Sequence, residues 1–256
     1  MKDQLGRILH IEATPKRIVC LVPSLTELLV DLGLESKLLG VTKFCVHPEH
    51  IRTTKTIIGG TKHLKIDKIM ELKPDFILAN KEENNKEDVE SLSQNSIVYV
   101  SDIRSIEDLY QLIKDIENVF NVKEYSRQLI DEMEASFIKF KREIQNLPNL
   151  KVAYFIWKDP WMVVGSSTFI HYILGLCHFK NVYADVERYP EIEINHLKDV
   201  DLVLLSSEPF PFKAKHKSEI PAENSIIKIV DGEFFSWYGS RLIKAFSYFS
   251  NLRDNL

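Results

Sequence analysis

Two short stretches of the 256-residue chain bring together residue types that do chemistry. The first is Thr42-Lys-Phe-Cys-Val-His-Pro48, with a thiol at Cys45, an imidazole at His47, and His63 in a later loop. A thiolate and an imidazole both suit a soft or borderline metal, which makes Cys45 and His47 candidate metal contacts. A closed zinc site wants four ligands at recognised spacings, and Cys-x-His supplies two. The plain alternative is a loop with a packed cysteine and a hydrogen-bonded histidine. The second stretch is Lys81-Glu82-Glu83-Asn84, which follows the apolar run Asp75-Phe-Ile-Leu-Ala79 with a base, two acids and an amide. Cys45, His47 and Glu82 can be drawn as nucleophile, base and orienting acid. No nucleophile elbow or phosphate loop accompanies them, because Gly59-Gly60 lacks the remaining glycines of a dinucleotide fingerprint. No catalytic residue is assigned. A non-catalytic binding protein is expected, with a cytosolic enzyme or sensor as the alternative.

The bulk composition narrows the partners. Hydrophobic residues make up 45% and charged residues 27% of the chain, enough to bury a full core. Net charge is −4 with both signs interspersed, so no basic face for nucleic acid is visible. No apolar run reaches the length of a membrane span, and membrane insertion is not expected. Cys20, Cys45 and Cys177 lie far apart in sequence, which argues against a disulfide framework; Cys20 and Cys177 sit in apolar runs and read as core. The stretch Met1-Lys-Asp-Gln-Leu-Gly-Arg-Ile-Leu-His10 has no apolar centre of the signal-peptide kind. The expectation is a cytoplasmic monomer, or a periplasmic or extracellular one if the N-terminus is processed or belongs to a fragment.

The elements that must position these residues alternate. Arg17-Ile-Val-Cys-Leu-Val22 reads as a buried strand, followed by a helix over 25–32 with Ser24 and Glu27 as a capping box and Gly33 as its stop. Strands are predicted over 37–41, 75–79 and 96–100, and helices over 66–72, 86–94 and from Ser105 to Phe120. Val122, Tyr125, Leu129, Met133, Phe137, Phe140, Ile144 and Leu147 then recur at helical steps, predicting one helix of roughly 39 Å. Strands over 151–157, 200–205 and 226–230 and helices over 167–175 and 239–251 complete the chain. Alternating strands and helices mean parallel sheets. The fold class is therefore α/β, with Rossmann-like lobes over 1–120 and 149–256 bridged by a helix over 121–148.

Six loops after apolar runs combine aromatic, charged and Pro or Gly residues. They contain Phe44, Cys45 and His47; Thr61 and Lys62; Lys81 to Asn84; Trp161 and Met162; Glu208 and Phe210; and Trp237, Tyr238 and Arg241. Ligands of open α/β sheets bind outside the carboxyl ends of strands, so these loops predict one shared cleft between the lobes. Trp161, Trp237 and Tyr238 are expected as its walls, and Lys62, Lys81, Glu82, Glu83 and Arg241 as its polar rim. Pro23, Ser24 and Tyr189 join them as expected ligand contacts.

Arg17-Ile-Val with Pro23-Ser-Leu-Thr-Glu27, then Leu72-Lys-Pro-Asp75, then the long helix, resemble the class III substrate-binding proteins of ABC transporters, and most strongly the cobalamin-binding branch. The resemblance covers nearly the whole chain. It implies two α/β lobes joined by a rigid helix, no intrinsic cofactor, and a metal chelate (cobalamin or another corrinoid, haem or a ferric siderophore) held between the lobes. It also implies a transporter partner docked through one acid on each lobe. The first acid falls on Asp67; the second falls near Asn195, where this chain has an amide and where Glu193 is the neighbouring acid. The branch carries a tryptophan where this chain has Thr61.

Overall fold

The computed structural model describes residues 1–222 and 224–256. Two compact units emerge: Met1–Met133 with Tyr238–Arg241, and Glu134–Trp237 with Leu242–Leu256.

The first unit runs β1 (Ile18–Cys20), α1 (Pro23–Asp31), β2 (Leu38–Val41), α2 (Ile51–Thr54), β3 (Thr56–Ile57), β4 (Gly59–Gly60), β5 (His63–Leu64), α3 (Ile66–Glu71), β6 (Phe76–Asn80), α4 (Lys86–Leu92), β7 (Ile97–Ser101) and α5 (Ile106–Phe120). Its main sheet is parallel with the order β3-β2-β1-β6-β7. Every residue of β1 and β6 is buried, as parallel strands covered on both faces must be. Ser105 caps α5 as its spacing to Asp108 predicts, accepting from the Asp108 amide at 3.2 Å. The expected Ser24–Glu27 capping box does not form. α1 starts earlier, with Pro23 inside its first turn, where a missing N–H costs nothing, and Val22 as its cap.

The long helix is α6 (Lys123–Ile144), 22 residues against the 26 predicted, and the unit boundary falls within it after Met133. Leu129, Met133, Phe140 and Ile144 of the predicted stripe are buried, whereas Tyr125 is 53% exposed.

The second unit continues with β8 (Leu150–Trp157), β9 (Met162–Val163), α7 (Phe169–Leu176), β10 (Phe179–Asn181), β11 (Leu202–Ser206), β12 (Ile226–Val230), α8 (Gly232–Ser236) and α9 (Leu242–Asp254). Its sheet has the order β10-β8-β11-β12, all parallel, with β9 folded back antiparallel on β8. Ala153, Phe155, Val203 and Leu205 build a core that takes in Phe212. Phe140 of α6 stacks on Phe246 of α9, ring centroids 5.5 Å apart. The strands β3, β9 and β10 escape the sequence pattern because two or three residues are too few to show a period. Among the described residues, no helix is long and apolar enough to cross a membrane.

Candidate ligand-binding site

A parallel sheet opens a crevice where the chain, after building one side of a strand, returns to build the other. In the first unit that point lies between β1 and β6, since β2 is on one side of β1 and β6 on the other. In the second unit it lies between β8 and β11. The segments that follow these four strands lead through Leu21-Val22 into Pro23-Ser24 at the start of α1, through Lys81–Asn84, through Lys158–Trp161 into Met162 of β9, and through Glu208–Phe210. Strand order thus selects, within each unit, loops that the sequence singled out.

At the first switch point two asparagines shape the wall. The Asn80 side-chain oxygen accepts from the amides of Glu82 (2.8 Å) and Glu83 (3.2 Å), winding 81–83 into an Asx-type turn. Asn84 closes it: its oxygen takes the Asn80 amide at 2.9 Å, and its nitrogen donates to the carbonyls of Leu21 (3.3 Å) and Thr61 (3.1 Å). Asn84, expected as a ligand contact, is a buried clasp joining three loops. Glu82 and Glu83 are half-buried in the turn, which precedes α4 and is not its first turn. Lys62 donates to the Glu82 carbonyl at 2.6 Å, so Thr61 and Lys62 join the same wall.

Lys81 points to a residue that sequence reasoning missed. Its ammonium lies 2.8 Å from Asp102, which also receives Arg104 through two nitrogens at 2.9 and 3.2 Å. Burial alone would raise the Asp102 carboxyl; the hydrogen bonds from Arg104 and Lys81 outweigh it and hold the group below its usual range. The signal was available, because Asp102 follows β7 as Lys81 follows β6.

Cys45 and His47 do not act as a pair. The Cys45 sulfur is fully buried, 3.3 Å from both the Thr26 and the Thr42 hydroxyls. Burial pushes its thiol up, so it stays protonated at neutral pH, and the expectation of a ligand or metal contact at Cys45 is corrected. His47 is half-buried and Phe44 is 49% exposed on the same loop. Among the described residues, no group of three or more His, Cys, Asp or Glu side chains is placed to hold a metal. Pro23 and Ser24 are buried at the start of α1. Arg241, expected on the rim, is instead 8% exposed at its side chain and paired with Glu27. Tyr238 in the first unit and Trp237 in the second are buried to 6% and 8% exposure, more enclosed than open walls would be.

The second switch point is aromatic. Trp161 meets Phe155 edge-on at 5.6 Å and stacks on Phe212 at 6.0 Å. Lys158 stands 5.6 Å over the Trp161 ring and pairs with Glu219. Phe210 packs against Phe212 and against Trp157, which is 39% exposed and was not among the expected contacts. Glu208 accepts from the Trp237 indole and from the Ser236 hydroxyl, both at 3.0 Å. Burial pushes its carboxyl up, with Glu233 and Asp231 adding to this against the two hydrogen bonds. Met162, the first residue of β9, and Tyr189, next to the 186–188 segment that hydrogen-bonds Gly165 and Ser166, are half-buried.

Comparison with known proteins agrees with this architecture. An ABC transporter substrate-binding lipoprotein of Bacillus subtilis, YvrC, itself uncharacterized, is 27% identical over 192 residues, 72% of this chain but only 60% of the relative. The vitamin B12-binding protein of Vibrio vulnificus is 24% identical over 190 residues, 73% of this chain and 69% of that one. The periplasmic heme-binding protein RhuT of Roseiflexus sp. RS-1 superimposes with a TM-score of 0.81 at 16% identity, covering 94% of this chain and 98% of the other, and shares the fold. YvrC is named as a lipoprotein and RhuT as periplasmic, and neither lends support to the cytoplasmic expectation. Residues 18–218 match the periplasmic binding protein family, and the chain belongs to that family.

Proposed function

We propose that this chain is a non-catalytic receptor for a cobalamin-like or other metal-chelate ligand, which it passes to an ABC transporter. The observation that carries the reading is the chemistry at the two switch points: a polar wall of Thr61, Lys62, Glu82 and Glu83 in one unit, and the Trp157–Trp161–Phe210 aromatic wall in the other. Flat apolar faces suit a macrocycle or chelate, and the polar groups suit its amide or carboxylate edge. The buried, protonated Cys45 thiol supports binding without nucleophilic chemistry. A receptor of this kind works outside the cytoplasmic membrane, and we put that location in place of the cytoplasmic one. Its transporter contacts would include Asp67, exposed in the first turn of α3, and the exposed Glu193 beside Asn195. We take α6 as the connecting segment of the two functional halves.

The test is to mix the purified protein with hydroxocobalamin, haemin and ferric siderophores and follow absorbance through gel filtration. Co-elution of one chromophore with the protein supports the reading. Loss of every chromophore from the protein peak overturns it.

A further inference from the structure

We propose that Lys158 is the specificity-determining cation of the second unit's switch point: Glu219 holds it over Trp161, and a chelate whose edge carries carboxylates takes it over from Glu219, so that carboxylate-edged macrocycles bind in preference to amide- or ester-edged ones. The inference rests on the metal-chelate reading above and assigns the chemical class of ligand within it.

Lys158 is the first residue after β8. Its ammonium lies 5.6 Å over the Trp161 ring and is paired with Glu219. The same indole stacks on Phe212 and meets Phe155 at its edge. A flat ligand laid against Trp161 therefore meets a positive charge beside the ring. The acid that holds this charge is itself mounted on the aromatic cluster. Glu219 ends a 3₁₀ helix, Ala214–Glu219, that is pinned from inside by buried His216. The His216 Nδ1 accepts from the Lys213 amide at 2.9 Å, and its ring lies 5.4 Å from Phe210 and 5.7 Å from Phe212.

The pair is suited to exchange. The hydrogen bond from Lys158 holds the Glu219 carboxyl below its usual range, so both partners are charged at neutral pH. Their side chains are 20% and 36% exposed. An ion pair this open to water contributes little, and trading one carboxylate for another costs little. The flexible lysine stem lets the ammonium follow a new partner without leaving the ring. Glu219 is not stranded by the trade, because Lys215 and His216 act on it besides Lys158. Lys158 in turn feels two acids, Glu219 and Asp159. The other acid of the switch point, Glu208, is bonded to Ser236 and Trp237. An amide or ester edge brings no charge to exchange and gains nothing comparable from Lys158.

Isothermal titration with two probe pairs, each of one macrocycle and one metal, separates the edges: haemin against haemin dimethyl ester, and dicyanocobyrinic acid against dicyanocobinamide. The expected result, in whichever pair binds, is at least roughly tenfold tighter binding of the carboxylate-edged member, the scale of one charge-assisted hydrogen bond. The two halves of the ion pair should then act with opposite sign. Lys158→Met should abolish the preference. Glu219→Gln should free the lysine and tighten binding of the carboxylate-edged member, leaving its neutral counterpart unchanged. An ion pair that merely braced the loop would shift both variants the same way. Thermal melting checks the fold of each, and Glu219→Gln remains informative if Lys158→Met does not fold. Equal wild-type affinity within a pair, or weaker binding in folded Glu219→Gln, overturns the edge assignment alone. Failure of the wild type to bind any of the four probes overturns it together with the macrocycle form of the cargo reading.

Discussion

Glu27 and Arg241 stand 214 residues apart in sequence and meet in a two-point ion pair, Nε to Oε2 at 2.9 Å and Nη2 to Oε1 at 3.1 Å. The side chains are 13% and 8% exposed, so the fork is largely out of water. It ties the short segment Tyr238–Arg241 to α1, within the first unit. Breaking one side removes from the other charge a two-point partner that it holds largely out of water. Arg241→Ala or Glu27→Ala should cost about 3 kcal/mol in urea unfolding. The double variant should cost less than the sum of the two. Additive losses would show that the two residues stabilise independently.

The Asp102 hub predicts a pH signature. Its carboxyl is held below the usual range in the folded state, by Arg104 and Lys81 against the opposing effect of burial. A depressed folded value gives stability that is present above the unfolded carboxylate range, about 3.9. That stability is lost as pH falls through the lower folded value. Asp102→Asn should therefore be less stable than wild type at neutral pH, and the gap should close as pH falls below about 4. A gap independent of pH, measured by denaturant melts at stepped pH, would remove the ion-pair explanation.

All three cysteines are buried and unpaired, and burial pushes the Cys20 thiol up to about 12. Thiolate is the reactive form. Iodoacetamide at neutral pH should leave the native protein unmodified and label every cysteine once it is unfolded. Rapid labelling of native Cys45, located by peptide mass spectrometry, would return that thiol to the accessible surface.

Gly33 ends α1 with φ +74°, and an added Cβ would lie 2.8 Å from the Tyr125 ring of α6. Gly33→Ala should cost about 1–3 kcal/mol from backbone strain and the clash together. In a Tyr125→Ala background the cost should fall toward the backbone part alone. An unchanged cost would mean that the ring moves aside freely.

The half-buried Glu82 and Glu83 test the first unit's wall. With whichever chromophore co-elutes with the protein, joint replacement of Glu82→Gln and Glu83→Gln should weaken binding at least roughly tenfold and leave the melting temperature nearly unchanged. Unchanged affinity would reduce the pair to turn residues.

Local pattern by itself determined the alternation of strands and helices, and with it the α/β class. β6, β7, β11 and β12 lie within a residue or two of their apolar runs, and α5 starts at its Ser105 cap, because burial period and capping are written in neighbouring residues. The same locality drew attention to Lys81–Asn84 and Glu208, since a strand end followed by polar residues is visible in one dimension. What each side chain then does was decided in three dimensions. Asn84 became a clasp because Leu21 and Thr61 lie beside it, and Lys81 turned to Asp102 because β6 and β7 are adjacent in register. With α1 starting at Pro23, Glu27 has no capping role and instead meets Arg241, which arrives from the far end of the chain. Cys45 turned inward because two threonines on different elements receive its sulfur. Periodicity fixes which residues are buried; it carries no record of which distant loops share a sheet end, and partner choice is set there.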